Sequence, residues 1–330
     1  MTTRRVLILG GGGYVGSELV NYLLEGDYQV RAFDTFWYGR EHLDSIKKSN
    51  LEVITGDIRD PFAIKSALEH VSDVIHLACI SNDPSFDLNP ELGKSINLTS
   101  FEPIVSAAKK AGVKRFIFAS SSSVYGVKTE PKVTEKLSLE PLTDYSKYKA
   151  ECEKILLSHA SDEFTCTILR PATICGVSTR QRFDLSVNIL TNHAINKNTI
   201  TVFGGSQHRP NLHIKDMCRA YLHILEQPVA KISNKIFNVG TENLSLDAIA
   251  AKVQLITKMT GSIEHQETND LRSYRVDSSL IQEELGFTPN HSVDDAIFDI
   301  VAAFGRSHYV DPLDNSNYYN IKKMKELNLG

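Results

Sequence analysis

Long apolar runs, paired cysteines and an excess of charge are all missing from this 330-residue chain. No stretch reaches the roughly 20 apolar residues of a membrane-crossing helix. The run Val6 to Leu9 near the amino terminus falls short of the roughly 7 to 15 apolar residues of a secretion signal. The five cysteines, Cys79, Cys152, Cys166, Cys175 and Cys218, are odd in number, scattered and never in Cys-x-x-Cys, which excludes a disulfide framework and a zinc knuckle. Eleven histidines show no His-Glu-x-x-His spacing, so no metal centre is expected. Lys plus Arg is 36 against 40 Asp plus Glu, and a net charge of -4 gives no basic field for a nucleic-acid backbone. These absences predict a soluble cytoplasmic protein without nucleic-acid or membrane partners.

What is present is an ordinary globular mixture, 42% hydrophobic and 23% charged, in a length that suits one large or two unequal domains. Short β-rich runs at 6–9, 29–33, 51–55, 73–78, 115–120 and 164–170 alternate with helical periodicity. In the first helix Val15, Leu19 and Leu23 recur at four-residue spacing, widened by Val20 and Leu24. Apolar strands alternating with helices imply a doubly wound parallel α/β sheet, here assigned to residues 1–178. After that the alternation weakens, with strands near 199–203 and 235–240 and helices near 183–197, 215–227, 245–258, 277–285 and 292–305. A smaller C-terminal α/β domain, 179–330, is the simplest reading, with segments near 210–240 able to return to the first sheet. The polar tail from Asp311 onward is expected to be loosely held.

The first strand runs directly into Gly10-Gly-Gly-Gly13-Tyr14-Val15-Gly16, a G-x-x-G-x-x-G pattern opening a helix. Glycines there permit a tight turn, close approach of backbone to a pyrophosphate, and close packing of helix on strand; the helix amides attract the phosphates. The second strand ends at Asp34, near the spacing expected for a carboxylate on the adenosine ribose hydroxyls. Such a group repels a 2'-phosphate, and Thr35 rather than an arginine follows, which favours NAD over NADP. A solvated loop carboxylate is the competing reading for Asp34. Asp57 and Ile58, ending the third strand, sit where an adenine could rest, although a capping or surface Asp has the same spacing.

After the strand at 115–120 come Ser120, Ser121, Ser122, Ser123, Val124 and Tyr125, hydroxyls at the carboxyl end of a sheet strand where open α/β sheets bind ligands. Downstream, Tyr145 and Lys149 share a helix face at i, i+4. A phenol with a pKa near 10 is a poor base at neutral pH, and a three-unit drop requires about 4 kcal/mol of differential stabilisation, which a neighbouring ammonium can supply. Tyrosines four residues from lysines are common on helix surfaces, and Tyr148 and Lys147 compete for the role. The glycine loop, the serine strand and this pair are explained together by one active site.

At this point the chain resembles the extended short-chain dehydrogenase/reductase family, in particular its NAD-dependent nucleotide-sugar epimerases and dehydratases. The resemblance runs through LGGGGYVG, GDIRD, HLA at 76–78, Asn97 in SINLTS, SSSSVYG, DYSKYKAE, LRPATICG, FGGSQHRPNLHIKD and NVG at 238–240. It implies a Rossmann fold in which Gly10, Gly13, Tyr14, Val15, Gly16, Asp34, Asp57, Ile58, Leu77, Ala78, Asn97, Tyr145 and Lys149 contact NAD. It further implies that Tyr145 is the acid/base, that Lys149 lowers its pKa and holds the nicotinamide ribose, and that Ser121 hydrogen-bonds the reacting sugar oxygen. Arg209 matches the position that grips the substrate diphosphate, a role suited to a guanidinium fork. Ser122, Asn188 and Arg272, or Arg275, are further substrate-side candidates; Asn188 on an exposed helix face is the plainer alternative. The family often forms homodimers through two helices per partner, here near 90–111 and 143–160.

Family dehydratases carry an Asp-Glu pair directly after the catalytic hydroxyl residue, and decarboxylases a Glu at the position of Ser123; this chain has Ser122 and Ser123. The departure points to 4-epimerisation of a nucleotide-diphosphate sugar through a transient 4-keto species. The alternatives are reduction of a preformed 4-keto nucleotide sugar and a non-catalytic dinucleotide-sensing protein. Cys79 and Cys175, flanking the expected cofactor pocket, raise a thiol-dependent 3,5-epimerisation, against which stands the reading of small core residues.

Overall fold

The computed structural model describes residues 4–268 and 273–329. Among them, seven parallel strands form the main sheet: β1 (Arg5–Leu9), β2 (Gln29–Asp34), β3 (Leu51–Thr55), β4 (Asp73–His76), β5 (Arg115–Ala119), β6 (Thr165–Pro171) and β7 (Lys235–Val239). Their spatial order is β3-β2-β1-β4-β5-β6-β7, so the direction of winding reverses between β1 and β4, and ligands of such sheets bind at that switch. Helices α1 (Tyr14–Glu25), α2 (Phe101–Lys110), α3 (Asp144–His159) and α4 (Ile214–Glu226) cover the sheet, α1 and α4 on one face, α2 and α3 on the other.

The period-2 alternation of a strand explains both cores. Val6 and Ile8 point into the cluster with Leu19, Leu23, Ile224 and Leu225, while Leu7 and Leu9 point into the one with Phe101, Ile104, Cys152 and Leu156. A strand buried on both faces favours a continuous apolar run, which VLIL shows. The segment near 235–240 adds β7 beside β6, in parallel register from Lys235 opposite Thr167 to Val239 opposite Pro171.

The second lobe packs helices Ser186–Lys197, Leu246–Thr257 and Val293–Gly305 around a parallel pair, Ile200–Phe203 with Ile263–Gln266. A three-stranded ribbon joins the lobes: Thr173–Cys175, continuing from β6, pairs with His208–His213, whose other side pairs with Glu242–Ser245. Among the described residues no helix is long and apolar enough to cross a membrane.

The tail departs from its expectation. It is docked, not loose. Helix α5 (Asn320–Glu326) buries Met324, 1% exposed, in the same core as Leu7 and Phe101. Phe183 donates its N–H to the Tyr318 carbonyl at 2.9 Å, and the Phe183 ring packs against Tyr309 and Tyr318. A few well-placed apolar side chains anchor a segment whose average composition is polar.

Candidate active site

The turn after β1 fixes one wall of the cleft. Gly10 has φ +91°, and a Cβ there would lie 2.6 Å from the Ala78 amide nitrogen, so the loop and the start of the segment after β4 touch through backbone alone. A Cβ on Gly16 would overlap the Gly10 carbonyl oxygen, which sets how closely α1 lies on β1. Leu77 and Ala78 both donate their N–H to the Leu9 carbonyl at 2.8 Å and so form the floor. Gly13 caps α1 without a side-chain hydrogen bond, and the first turn carries no acidic residue, which leaves backbone N–H groups and the positive end of the helix facing the cleft.

Asp34, at the end of β2, accepts N–H bonds from Gly12 at 3.0 Å and Phe36 at 2.9 Å, so the carboxylate is tied to the glycine loop itself. Burial raises its proton affinity, and those two amides pull it back. Asp57 pairs with Arg59, whose Nε donates to Oδ1 at 3.0 Å, and the pair sits at the exposed rim with Ile58 buried behind it. Asn97 lies in a π-helical turn, Ser95–Thr99, where its amide donates to the Ile80 carbonyl at 2.9 Å and accepts the Ile80 N–H at 2.8 Å. It braces the segment that follows Ala78.

The opposite wall brings Ser121, Tyr145 and Lys149 together. Helix α3 begins with a reciprocal capping box between Thr143 and Ser146, which sets the first turn and so the direction of Tyr145. Lys149, 2% exposed, donates from Nζ to the Ala119 carbonyl at 2.6 Å, at the end of β5, and lies 5.9 Å from the centre of the Tyr145 ring. Ser121 lies beside the Tyr145 phenol, and its Oγ is 2.8 Å from that of Ser123. Burial pushes the phenol well above its ordinary pKa, with Cys79 and Asp83 adding to the rise, while Arg182 and Ser121 act to lower it. Tyr148 instead packs its ring on Phe86, and Lys147 pairs with Asp144 at the surface.

Beneath this wall runs a buried polar strut that sequence reasoning missed. Ser120 donates to Glu153 Oε1 at 2.5 Å, Arg170 binds both Glu153 oxygens, Arg170 Nη1 donates to the Tyr125 hydroxyl at 2.8 Å, and Tyr125 donates to Asn238 at 2.8 Å. One signal was available: Glu153 lies four residues past Lys149 on the same helix. Also missed were Arg180 and Arg182, which lie between the lobes with Asp184.

Substrate-side candidates fall differently. Asn188 is fully buried rather than on an exposed face. Its amide donates to the Tyr14 hydroxyl at 3.0 Å and the Arg182 carbonyl at 2.9 Å, and accepts the Gly176 N–H at 3.0 Å. It is a joint between α1 and the second lobe. Ser122 is buried, its hydroxyl 3.4 Å from that of Tyr274. Arg209 stands half-buried on the strand His208–His213, two positions before Asn211, which is paired with Thr173 beyond the end of β6. Arg272 lies outside the described residues, and Arg275 Nη2 is 3.1 Å from His208 Nε2. Cys175 is buried, and burial pushes its thiol pKa up, which opposes a role as a proton carrier; Cys79 is half-buried and among the groups around Tyr145. Among the described residues no cluster of His, Cys, Asp or Glu is arranged to hold a metal ion.

The chemistry of the donor set fits a dinucleotide. Side chains are withheld where backbone must approach phosphate, the helix amides face the cleft uncapped, and a carboxylate ends β2 where ribose hydroxyls need an acceptor.

The chain is 28% identical over 317 residues to a UDP-glucose 4-epimerase of Lactobacillus helveticus, covering 89% of this chain and 94% of that protein. The UDP-glucose 4-epimerase structure of Thermotoga maritima with UDP-glucose superposes with a TM-score of 0.84 at 24% identity, covering 92% and 100% of the two chains. MoeE5 in complex with UDP-glucose and NAD gives 0.81 at 26%, with the same coverage. The model of the NAD dependent epimerase/dehydratase family matches residues 6–240, and the chain belongs to that family.

Proposed function

We propose that the protein is an NAD-dependent epimerase that inverts C4 of a nucleotide-diphosphate sugar. The observation that carries this reading is the grouping of Ser121 and Tyr145 with the buried Lys149, whose Nζ is bonded to the Ala119 carbonyl and lies 5.9 Å from the centre of the Tyr145 ring, beside a cleft suited to a dinucleotide. NAD, when bound, supplies a hydride acceptor that returns the hydride, and its oxidised ring adds a positive charge beside the phenol. The buried phenol is protonated on its own; Lys149, held by the Ala119 carbonyl, provides the fixed part of the field that makes it a base. Tyr145 Oη then takes the proton of the sugar 4-hydroxyl and later returns it, while Ser121 holds the same oxygen by hydrogen bond. Arg209 grips the sugar's diphosphate at the rim. Ser122 and Ser123 offer no carboxyl pair for eliminating water, which favours epimerisation over dehydration.

The test is a panel of UDP-, GDP-, CDP- and dTDP-sugars incubated with the purified protein, with coenzyme and products followed together. Interconversion of C4 epimers without net coenzyme change supports the proposal. Stoichiometric consumption of reduced coenzyme makes the protein a keto-sugar reductase, and loss of water makes it a dehydratase.

A further inference from the structure

Asn320, the first residue of α5 and 3% exposed, meets three loops at once. Its backbone N–H donates to Asp184 Oδ2 at 3.0 Å, its Nδ2 donates to Ser81 Oγ at 3.1 Å, and its Oδ1 accepts from Arg180 Nη2 at 2.7 Å. Arg182 closes the ring: Nε donates to Asp184 Oδ1 at 2.8 Å and Nη1 to Ser81 Oγ at 3.0 Å. Both arginines are nearly out of water, 5% and 7% exposed, and each keeps one buried nitrogen with no partner, Nε of Arg180 and Nη2 of Arg182. Buried guanidinium nitrogens are seldom left so.

The two arginines are held by the segments that follow β2 and β4, the strands on either side of β1. Arg180 stacks 3.6 Å from the centre of the Tyr38 ring, four residues beyond Asp34. Arg182 is fixed to Ser81, three residues beyond the Ala78 that touches Gly10. A dinucleotide that reached from Asp34 to Tyr145 would carry its diphosphate past the uncapped start of α1, between these two segments. Of the nearby carboxylates, Asp184 is paired with Arg182, Asp34 is occupied by two backbone amides, and Glu41 lines the same cavity as Arg180. Burial, with Arg182 beside it, pushes the Arg180 pKa down to about 10, against the opposing pull of Tyr38, Asp184 and Asp34. A cavity of 230 Å³ separates the segment after Asp34 from the tail, lined by Tyr38, His42, Arg180, Asn317 and Tyr318.

We propose that Asn320 is a latch, a positioning residue through which the C-terminal segment holds Arg180 and Arg182 along the cleft as counter-ions for the coenzyme diphosphate. The inference rests on NAD binding in this cleft and not on which sugar is converted. Coenzyme retention is then a property of the tail as well as of the glycine loop.

The test measures binding to the full chain stripped of coenzyme, so it reads out without turnover. In Asn320→Ala, NAD dissociates about tenfold faster, the scale of one charge-assisted hydrogen bond. ADP-ribose weakens by a similar factor, and AMP, which lacks the diphosphate, by no more than about twofold. Arg182→Gln gives the same pattern and a shallower dependence of ADP-ribose affinity on salt, while Arg182→Lys restores the salt dependence. If Asn320→Ala does not fold, Ser81→Ala, which removes the hydroxyl shared by Arg182 and Asn320, is read in its place. Equal weakening of AMP and ADP-ribose, or an unchanged NAD dissociation rate in a folded variant, overturns the proposal.

Discussion

Arg170 and Glu153 face each other in a two-bond ion pair, Nε to Oε1 at 2.9 Å and Nη2 to Oε2 at 2.6 Å, with both side chains under 5% exposed. The pair ties α3, which carries Tyr145 and Lys149, to β6. A buried pair contributes little net stability against an apolar replacement, but breaking it leaves one charge stranded. Glu153→Gln is therefore expected to destabilise by about 3–5 kcal/mol, measured by urea denaturation. Glu153→Leu combined with Arg170→Met recovers most of that loss; equal destabilisation by single and double variants would contradict the stranded-charge argument.

Replacing Tyr145 with Phe removes the proton carrier and leaves the ring. Turnover is expected to fall by about 10² to 10⁴, with NAD affinity within a small factor of the parent. Near-parental activity would remove Tyr145 from the mechanism.

Lys149→Met tests how the phenol is made basic. With the ammonium gone, the pKa of the Tyr145 phenol rises further, so the pH at which turnover reaches half its maximum moves upward by more than one unit, roughly the effect of a close opposite charge. An unshifted profile with uniformly lower rate would assign Lys149 to coenzyme binding alone.

Gly16→Ala places a methyl group against the Gly10 carbonyl and pushes α1 off the sheet. A loss of stability of about 1–3 kcal/mol is expected from the overpacking, together with weaker NAD retention. Thermal denaturation and coenzyme content of the purified variant check both.

His76 packs among Phe101, Phe116 and Phe118 with neither ring nitrogen bonded, and burial, with Lys149 nearby, pushes its pKa down from 6.5 to about 3. His213 is lowered in the same direction, by burial first and by His291. Between about pH 6.5 and 4 the unfolded chain takes up protons that these folded sites refuse, so stability is greatest above pH 6.5 and falls as the pH drops through that window. Each site contributes about 1.4 kcal/mol per pH unit to the slope. His76→Phe is expected to flatten the curve by that amount; an unchanged slope would show that His76 titrates alike in both states.

The parts of the fold legible in the sequence are those whose physics is local. VLIL and the FIF of RFIFAS read as doubly buried strands because a covered parallel sheet favours continuous apolar runs, and Tyr145 and Lys149 share a face because of helical periodicity alone. The strand His208–His213 was not legible: HRPNLH has no alternation, and its register comes from the neighbours on either side. For Asn188 the sequence left a substrate contact and an exposed helix face both open, because helix spacing cannot tell solvent from a second lobe. Arg180, Arg182 and Asn320 carry no motif in common, and only tertiary folding brings residue 320 to residues 81 and 184.

The most direct test of hydride transfer at C4 under Tyr145 is a nucleotide sugar carrying deuterium at that carbon, converted by the holoenzyme and analysed by mass spectrometry and NMR. The account predicts that the C4 epimer forms with its deuterium retained at C4 and with no net change in coenzyme. Epimerised product that has exchanged the label for solvent hydrogen would contradict it.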